Sequence, residues 1–250
     1  MITEERHRLI LKELKRKGSL NVLELVNITK ASESTIRRDL LELDHQGLLK
    51  RVHGGAVLIE RASLAVENPL SERQSQNSIE KELIGKYTSK LVEENDTVYI
   101  DAGSTTIKVI DHLIEKKATY VTNGLLQAQM LAQKGFKVIC LGGEIRGITG
   151  ACVGASTYQE LRRYHFNKGF FGTNGVDIEH GFTTPDNEEA LIKETAFNRC
   201  EMNYVLCDHS KFNKLSPVHF GDINEAIIIC DYCKENQIKE HTTVVEVDKI

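Results

Sequence analysis

The sequence predicts an α/β chain in two parts: a small helical head closed by a β-hairpin, and a larger body built on a mainly parallel sheet. Three observations carry this. Residues 3–57 hold three short blocks of apolar residues at helical spacing, then two apolar segments around a Gly-Gly pair. Residues 96–250 alternate short continuous apolar runs with amphipathic stretches, the pattern of buried parallel strands joined by helices. The charge divides the same way. Residues 1–57 carry 11 Lys and Arg against 8 Asp and Glu, a net +3, and the rest carries 21 against 28, a net −7.

In the head, Leu9, Ile10, Leu11 and Leu14 stripe a first helix that Gly18 ends, and Val22, Leu23, Leu25 and Val26 suit a short second one. Ser32 caps a third helix, whose Ile36, Leu40 and Leu43 recur at i, i+4 and i+7 and which Gly47 stops. Leu48 to Val52 and Ala56 to Leu58 flank His53-Gly54-Gly55 as a hairpin. At about 100° per residue, Ser34, Arg38, Leu41 and His45 fall opposite the third helix's apolar stripe, with Thr35 and Arg37 on the flanks. Helix, helix, helix and basic hairpin make a winged helix-turn-helix over residues 1–58. Arg reads guanine bidentately and hydroxyls at a helix start hold phosphate, so Ser32, Ser34, Thr35, Arg37, Arg38, Arg51 and His53 are the candidate contacts to double-stranded DNA. The competing reading is a small bundle whose Arg37 and Arg38 only face solvent; the cap, the basic excess and the basic hairpin together favour DNA.

Residues 59–95 read as a linker and connecting helix. Pro69 breaks what precedes it, and Ile79, Leu83, Ile84, Tyr87 and Leu91 stripe a single helix over 71–94, which joins head to body. Strands then follow at 97–100, 119–121, 137–141, 169–171, 204–207, 226–229 and 243–247. Polar and glycine residues gather at their carboxyl ends, where parallel sheets bind ligands. After the first strand, Asp101-Ala102-Gly103-Ser104-Thr105-Thr106 opens a helix, and its glycine, hydroxyls and free N–H groups suit a phosphate. Other strand ends add Asn123, then Gly142, Gly143 and Arg146, then Thr173, Gly175 and Asp177, then Lys211. Lys211 supplies a point charge for an anion, and Asp101, Asn123 and Asp177 can bond sugar hydroxyls.

The net charge of −4 excludes a wholly basic nucleic-acid coat. No apolar run reaches the ~18 residues of a membrane span, and the N-terminus mixes charges through its apolar positions, so a cytoplasmic protein is expected. The six cysteines lie scattered, several inside apolar runs. Cys230 and Cys233 have half-zinc-site spacing without a second half, so structural cysteines, no metal and no cofactor are expected. His165, His180, His209 and His219 make no nucleophile–histidine–carboxylate order, and no catalytic residue is assigned.

Arg8, Gly18, Glu24-Leu25, Ser32-Glu33-Ser34-Thr35-Ile36-Arg37-Arg38-Asp39-Leu40, Gly47 and Arg51-Val52-His53-Gly54-Gly55-Ala56 together resemble the N-terminal signature of the DeoR family of bacterial transcriptional regulators. The later blocks DAGSTT, VTNG, LGGEIR, FGTNGVD and DHSK resemble the same family's effector domain, so the resemblance covers nearly the whole chain. It implies a repressor of a sugar-utilisation operon, with a body over 96–250 that senses a phosphorylated sugar and is similar in fold to ribose-5-phosphate isomerase and the CoA-transferases. One winged module gives little affinity or site length, so a homo-oligomer, dimer or tetramer, is expected. The alternative is a sugar-phosphate isomerase-like enzyme with a DNA-binding head. Isomerases resemble DGADE followed by a Gly-rich run with a Lys; here Asn174-Gly175-Val176-Asp177-Ile178 keeps one carboxylate and the Gly-rich Lys is absent. Glu194 matches the isomerase base, but beside Lys193 it reads as a helix-surface carboxylate. A purely architectural DNA binder needs no ligand-shaped acidic body. Binding without turnover is the expectation.

Overall fold

The first helix, α1 (Thr3–Lys17), ends where Gly18 takes a left-handed φ of 77° and returns its N–H to the Leu14 carbonyl at 2.8 Å. The structure, a computed structural model, describes residues 2–45, 48–57 and 69–247; Gly47, Leu58 and the first part of the 59–95 linker lie outside them. The chain divides into two units, Met1–Arg61 and Ala62–Ile250.

In the first unit, β1 (Ser19–Asn21) leads into α2 (Val22–Thr29), whose start is locked by a reciprocal capping box. The Asn21 side chain accepts the Glu24 N–H at 2.8 Å, and the Glu24 carboxylate accepts the Asn21 N–H at 2.9 Å. Ser32 caps α3 (Glu33–His45), its hydroxyl accepting the Thr35 N–H at 3.2 Å. β2 (Lys50–Val52) and β3 (Gly55–Val57) form the hairpin, and β1 adds antiparallel to β3, giving the order β1-β3-β2. Close approach of β1 requires glycine at 55, because a Cβ there would lie 2.2 Å from the Leu20 carbonyl oxygen. Ile10, Leu14, Leu25, Ile36, Leu40, Leu43, Leu49 and Ala56 make one core. The predicted stripe of α3 is the buried one.

The second unit opens with α4 (Leu70–Ser75) and α5 (Ser78–Thr88). Here the structure departs from the single helix expected over 71–94. Asn77 sits left-handed at φ 49°, its amide donating to Asp208 at 2.7 Å and to the Ser210 hydroxyl at 3.2 Å, so a tertiary contact breaks the helix in two. Nor is α5 a free connector. It packs on the helix α6 (Ser104–His112) that follows β4 (Thr97–Ile100), so closely that a Cβ on Gly85 would lie 2.5 Å from the Lys108 backbone.

The chain continues through β5 (Thr119–Thr122), α7 (Leu125–Gln133), β6 (Lys137–Cys140), β7 (Glu144–Ile145), β8 (Cys152–Val153) and α8 (Gly154–Leu161). Next come β9 (Phe166–Gly172), β10 (Gly175–Asp177), β11 (Gly181–Thr184) and α9 (Asn187–Phe197). The last elements are β12 (Cys200–Leu206), β13 (Val218–Gly221), β14 (Ile227–Cys230), α10 (Asn236–His241) and β15 (Val244–Glu246). The seven predicted strands are the seven of the main sheet, all parallel, in the order β15-β14-β12-β9-β4-β5-β6. Successive side chains alternate between two cores, as a pleated strand dictates: Tyr99 packs with Phe171 and Val205 on one face, Val98 and Ile100 with Phe170 and Ile84 on the other. The sequence reading had no counterpart for the small antiparallel sheet β10-β11-β13 or the β7–β8 pair. Among the described residues no helix is long and apolar enough to cross a membrane.

Candidate functional site

Each unit carries a candidate surface. In the first, Ser32, Ser34 and Thr35 cluster at the start of α3, the Ser32 hydroxyl lying 3.0 Å from that of Ser34 and 2.8 Å from that of Thr35. Arg37 and Arg38 are exposed on the helix; Arg37 pairs with Glu33 at 2.5 Å, whereas Arg38 has no side-chain partner among the described residues. Arg51 and His53 stand exposed on the hairpin, which turns at Gly54 with φ 90°. The Arg51 N–H donates to Asp44 at 3.0 Å, which fixes the hairpin to α3. Beneath this surface Asp39, 3% exposed, takes two bonds from the Arg6 guanidinium, at 2.5 and 2.9 Å, and lies 3.1 Å from His7. Burial pushes its carboxyl up, but Arg6 and His7 outweigh that and hold it below the usual range. The clamp sets the angle of α3 on α1.

In the second unit the sheet order reverses between β4 and β9. The chain runs from β4 to β5 and β6 on one side, then returns to β9 on the other. Such a switch point leaves a crevice at the strands' carboxyl ends. A small polar cleft lies there, bounded by the turn after β4, the end of β9 and α9. Asp101, just past β4, accepts the Gly172 N–H at 3.0 Å and an ion pair from Lys193 of α9, which also donates to the Gly172 carbonyl at 3.0 Å. Ser104 and Thr105, 8% and 6% exposed, line the cleft at the start of α6, and their hydroxyls have no protein partner among the described residues. Lys211 lines it from beyond β12, and Arg73, Gln76 and Lys81 from α4, the joint and α5. Glu189 is engaged by Arg146 at 2.6 Å and Thr149 at 2.5 Å. Four cationic side chains thus share the cleft with two carboxylates that other side chains already hold, which favours an anion.

Of the effector candidates, the structure brings Asp101, Gly103, Ser104, Thr105, Thr173 and Lys211 together on this cleft. The others lie elsewhere or act within the fold. Thr106 is fully buried and its hydroxyl donates to the Asp101 and Gly103 carbonyls at 2.6 and 2.8 Å, holding the turn itself. Asn123 bonds Tyr99 at 2.9 Å and the Cys152 carbonyl at 3.2 Å. Gly142 and Gly143 pack against Thr157, Arg146 pairs with Asp186 and Glu189, and Gly175 is crowded by the Lys214 carbonyl. Asp177 is spent on its own turn, accepting from the Glu179 and His180 N–H groups at 3.0 and 3.2 Å and lying 2.8 Å from the His180 ring. Those three residues are also the one potential metal-ligand cluster among the described residues. Cys230 and Cys233 are buried. Glu194 is exposed on α9 and does not line the cleft.

Sequence reasoning missed Arg73, Lys81, Glu189 and Lys193. The first two were assigned to a connector. Lys193 sits on a helix with ordinary polar spacing, and its buried partner lies 92 residues earlier.

Residues 6–62 match the DeoR-like helix-turn-helix domain, and residues 76–232 the DeoR C terminal sensor domain. The chain is similar to the "Uncharacterized HTH-type transcriptional regulator FruR" of Bacillus subtilis (strain 168), 41% identical over 252 residues and all of both chains. It is 32% identical over 255 residues to a lactose phosphotransferase system repressor of Streptococcus mutans, covering 98% of this chain and 100% of the other. Among solved structures it is similar to a ribose 5-phosphate isomerase A of Methanocaldococcus jannaschii, at 15% identity over 55% of each chain with a TM-score of 0.41. A helix-turn-helix that binds DNA, joined to a sensor that binds an effector, places this chain in the DeoR family of transcriptional regulators, which are not enzymes.

Proposed function

We propose that the chain is a cytoplasmic repressor of a sugar-utilisation operon whose operator binding is controlled by a phosphorylated sugar. One observation carries the ligand class: a helix start whose Ser104 and Thr105 hydroxyls have no partner among the described residues opens onto a cleft of cationic excess. The phosphate sits on Gly103, Ser104 and Thr105, Lys211 completes its charge, and Asp101, Thr173 and Asn174 face the sugar. The name of the streptococcal relative supports a sugar operon. On the head, Arg37 and Arg38 enter the major groove, with Ser32, Ser34 and Thr35 on phosphates and Arg51 and His53 of the wing along the backbone. Operator recognition uses a homo-oligomer, dimer or tetramer, so that two recognition helices meet two half-sites. Effector lowers operator affinity, with a coupling of about 1–3 kcal/mol, or 5- to 150-fold.

Ser104→Asp tests this, because it fixes a negative charge where the phosphate goes. Operator affinity is measured by fluorescence anisotropy with and without a panel of sugar phosphates. The variant keeps its operator affinity and no longer responds; a variant that responds like wild type shows that the phosphate binds elsewhere.

A further inference from the structure

We propose that Leu41 reads a thymine: its side chain packs on the C5 methyl group of one thymine in each operator half-site and sets base choice there. This rests on the recognition-helix reading above and adds an apolar contact to the charged and hydroxyl ones.

Leu41 is 43% exposed and belongs neither to the core of the first unit nor to the partly buried side chains packed against it. Packing within the unit therefore does not account for a leucine at this position. At about 100° per residue it lies roughly 40° from Arg37 and 60° from Arg38, between the two, and about 20° from Ser34. That is the middle of the face that turns away from the buried Ile36, Leu40 and Leu43. Both ends of the helix are fixed, by the Ser32 cap at its start and by Asp44, which accepts the Arg51 N–H at 3.0 Å, near its end. A helix that puts Arg37 and Arg38 into the major groove carries Leu41 in with them, one turn or about 5 Å further along.

Chemistry then selects the base. Every base pair shows hydrogen-bonding groups to the major groove, but only thymine adds a methyl group. A leucine pressed on donors and acceptors strips their water and returns no hydrogen bond, which costs free energy. Pressed on the methyl group, it takes apolar surface of both partners out of water. Arg37 and Arg38 meet guanine by the same code. With base pairs about 3.4 Å apart, the half-site carries its thymine about one or two base pairs from a guanine.

The test uses the full chain and a DNA duplex that it selects from a random-sequence library. Each thymine in turn is replaced by deoxyuridine, which removes the methyl group alone. Affinity is measured by fluorescence anisotropy at fixed salt for wild type, Leu41→Ala and Arg38→Ala; an exposed leucine-to-alanine change in a helix keeps the fold, which circular dichroism checks. One thymine per half-site stands out: its replacement weakens wild-type binding about fourfold, the worth of one buried methyl group. Leu41→Ala binds the parent duplex about four- to tenfold more weakly and is indifferent to that replacement, whereas Arg38→Ala stays sensitive to it. A wild-type protein that ignores every deoxyuridine overturns the proposal, and so does a Leu41→Ala protein that keeps the wild-type sensitivity. If Leu41→Ala weakens binding while remaining as sensitive as wild type, the residue acts away from the methyl group and the proposal falls; an affinity loss in Arg38→Ala then leaves the recognition-helix reading standing. If neither variant changes affinity, that reading falls and takes the thymine contact with it.

Discussion

The two units handle positive charge in opposite ways. On α3, Arg37 and Arg38 stand in water, one resting on Glu33 and the other without a side-chain partner among the described residues. In the cleft, Lys193 and Lys81 are 5% and 3% exposed, the first paired with Asp101 and the second without a paired carboxylate among the described residues. Exposed cations are cheap to keep, act over a salt-screened distance and release counterions on meeting DNA. Buried cations are costly, short-ranged and selective. Under the proposed function, a surface that scans a polymer and a cleft that recognises one small anion call for these two solutions.

Four substitutions probe the contrast, and the optics of the chain keep the units apart. All seven tyrosines lie between residues 87 and 232 and there is no tryptophan, so tyrosine fluorescence reports the second unit alone. Lys193→Ala leaves Asp101 buried without its cation. Urea unfolding followed by tyrosine fluorescence should lose about 3–5 kcal/mol, and a loss under 1 would show the pair to be solvated. Asp39→Asn removes the clamp on α3. A loss of roughly 2–3 kcal/mol should appear in helical circular dichroism while the tyrosine transition stays in place. The same carboxyl gives a pH signature. Its folded value is depressed, so its contribution is complete above the ordinary aspartate value near 4 and vanishes as pH falls through the folded value; Asp39→Asn should lack that acid limb.

Arg38→Ala should cost about 1–3 kcal/mol of operator affinity if it reads a base, with folding intact. A uniform loss over all DNA sequences, with the salt slope reduced by about 1, would instead place it on a phosphate. Smallest is Arg37→Ala in its effect on stability. An exposed i, i+4 pair is worth about 0.3–0.5 kcal/mol, so the helical transition should barely move, and a shift above 1 kcal/mol would mean that Arg37 is packed, not solvated.

Long-range geometry divides what was readable in advance from what was not. The seven sheet strands were legible because each contains a short apolar run, fully buried in the inner strands and half-buried in the edge strands β6 and β15, and the stripe of α3 because its period is local. Strands β7, β8, β10, β11 and β13 are two to four residues long, too short to show a period, and β13 reaches β11 across about forty residues, Gly221 opposite Phe182. The strand-end residues were legible as polar turns, but nothing in a turn says which side of the switch point it occupies. Asn123 follows a strand as Asp101 does and Asp177 ends one, yet each bonds its own surroundings. Lys81 and Lys193 were illegible for another reason. On their helices they look like solvent-facing lysines, and only the fold of the strands around them takes the solvent away.

The hairpin's two glycines constrain the future of the head differently. Gly55 is held by space, since any side chain meets the Leu20 carbonyl, whereas a Cβ on Gly54 would meet nothing within 4 Å and Gly54 is held by its left-handed backbone and by its carbonyl, which accepts the Val22 N–H at 2.9 Å. The base of the wing is therefore closed to variation and its tip is open. Descendants of this chain can change the side chains of the tip, where Asn tolerates the same backbone region, as long as the carbonyl at 54 still reaches the Val22 N–H. Drift in operator choice has two outlets that leave the scaffold alone: the outer face of α3 and the end of the wing.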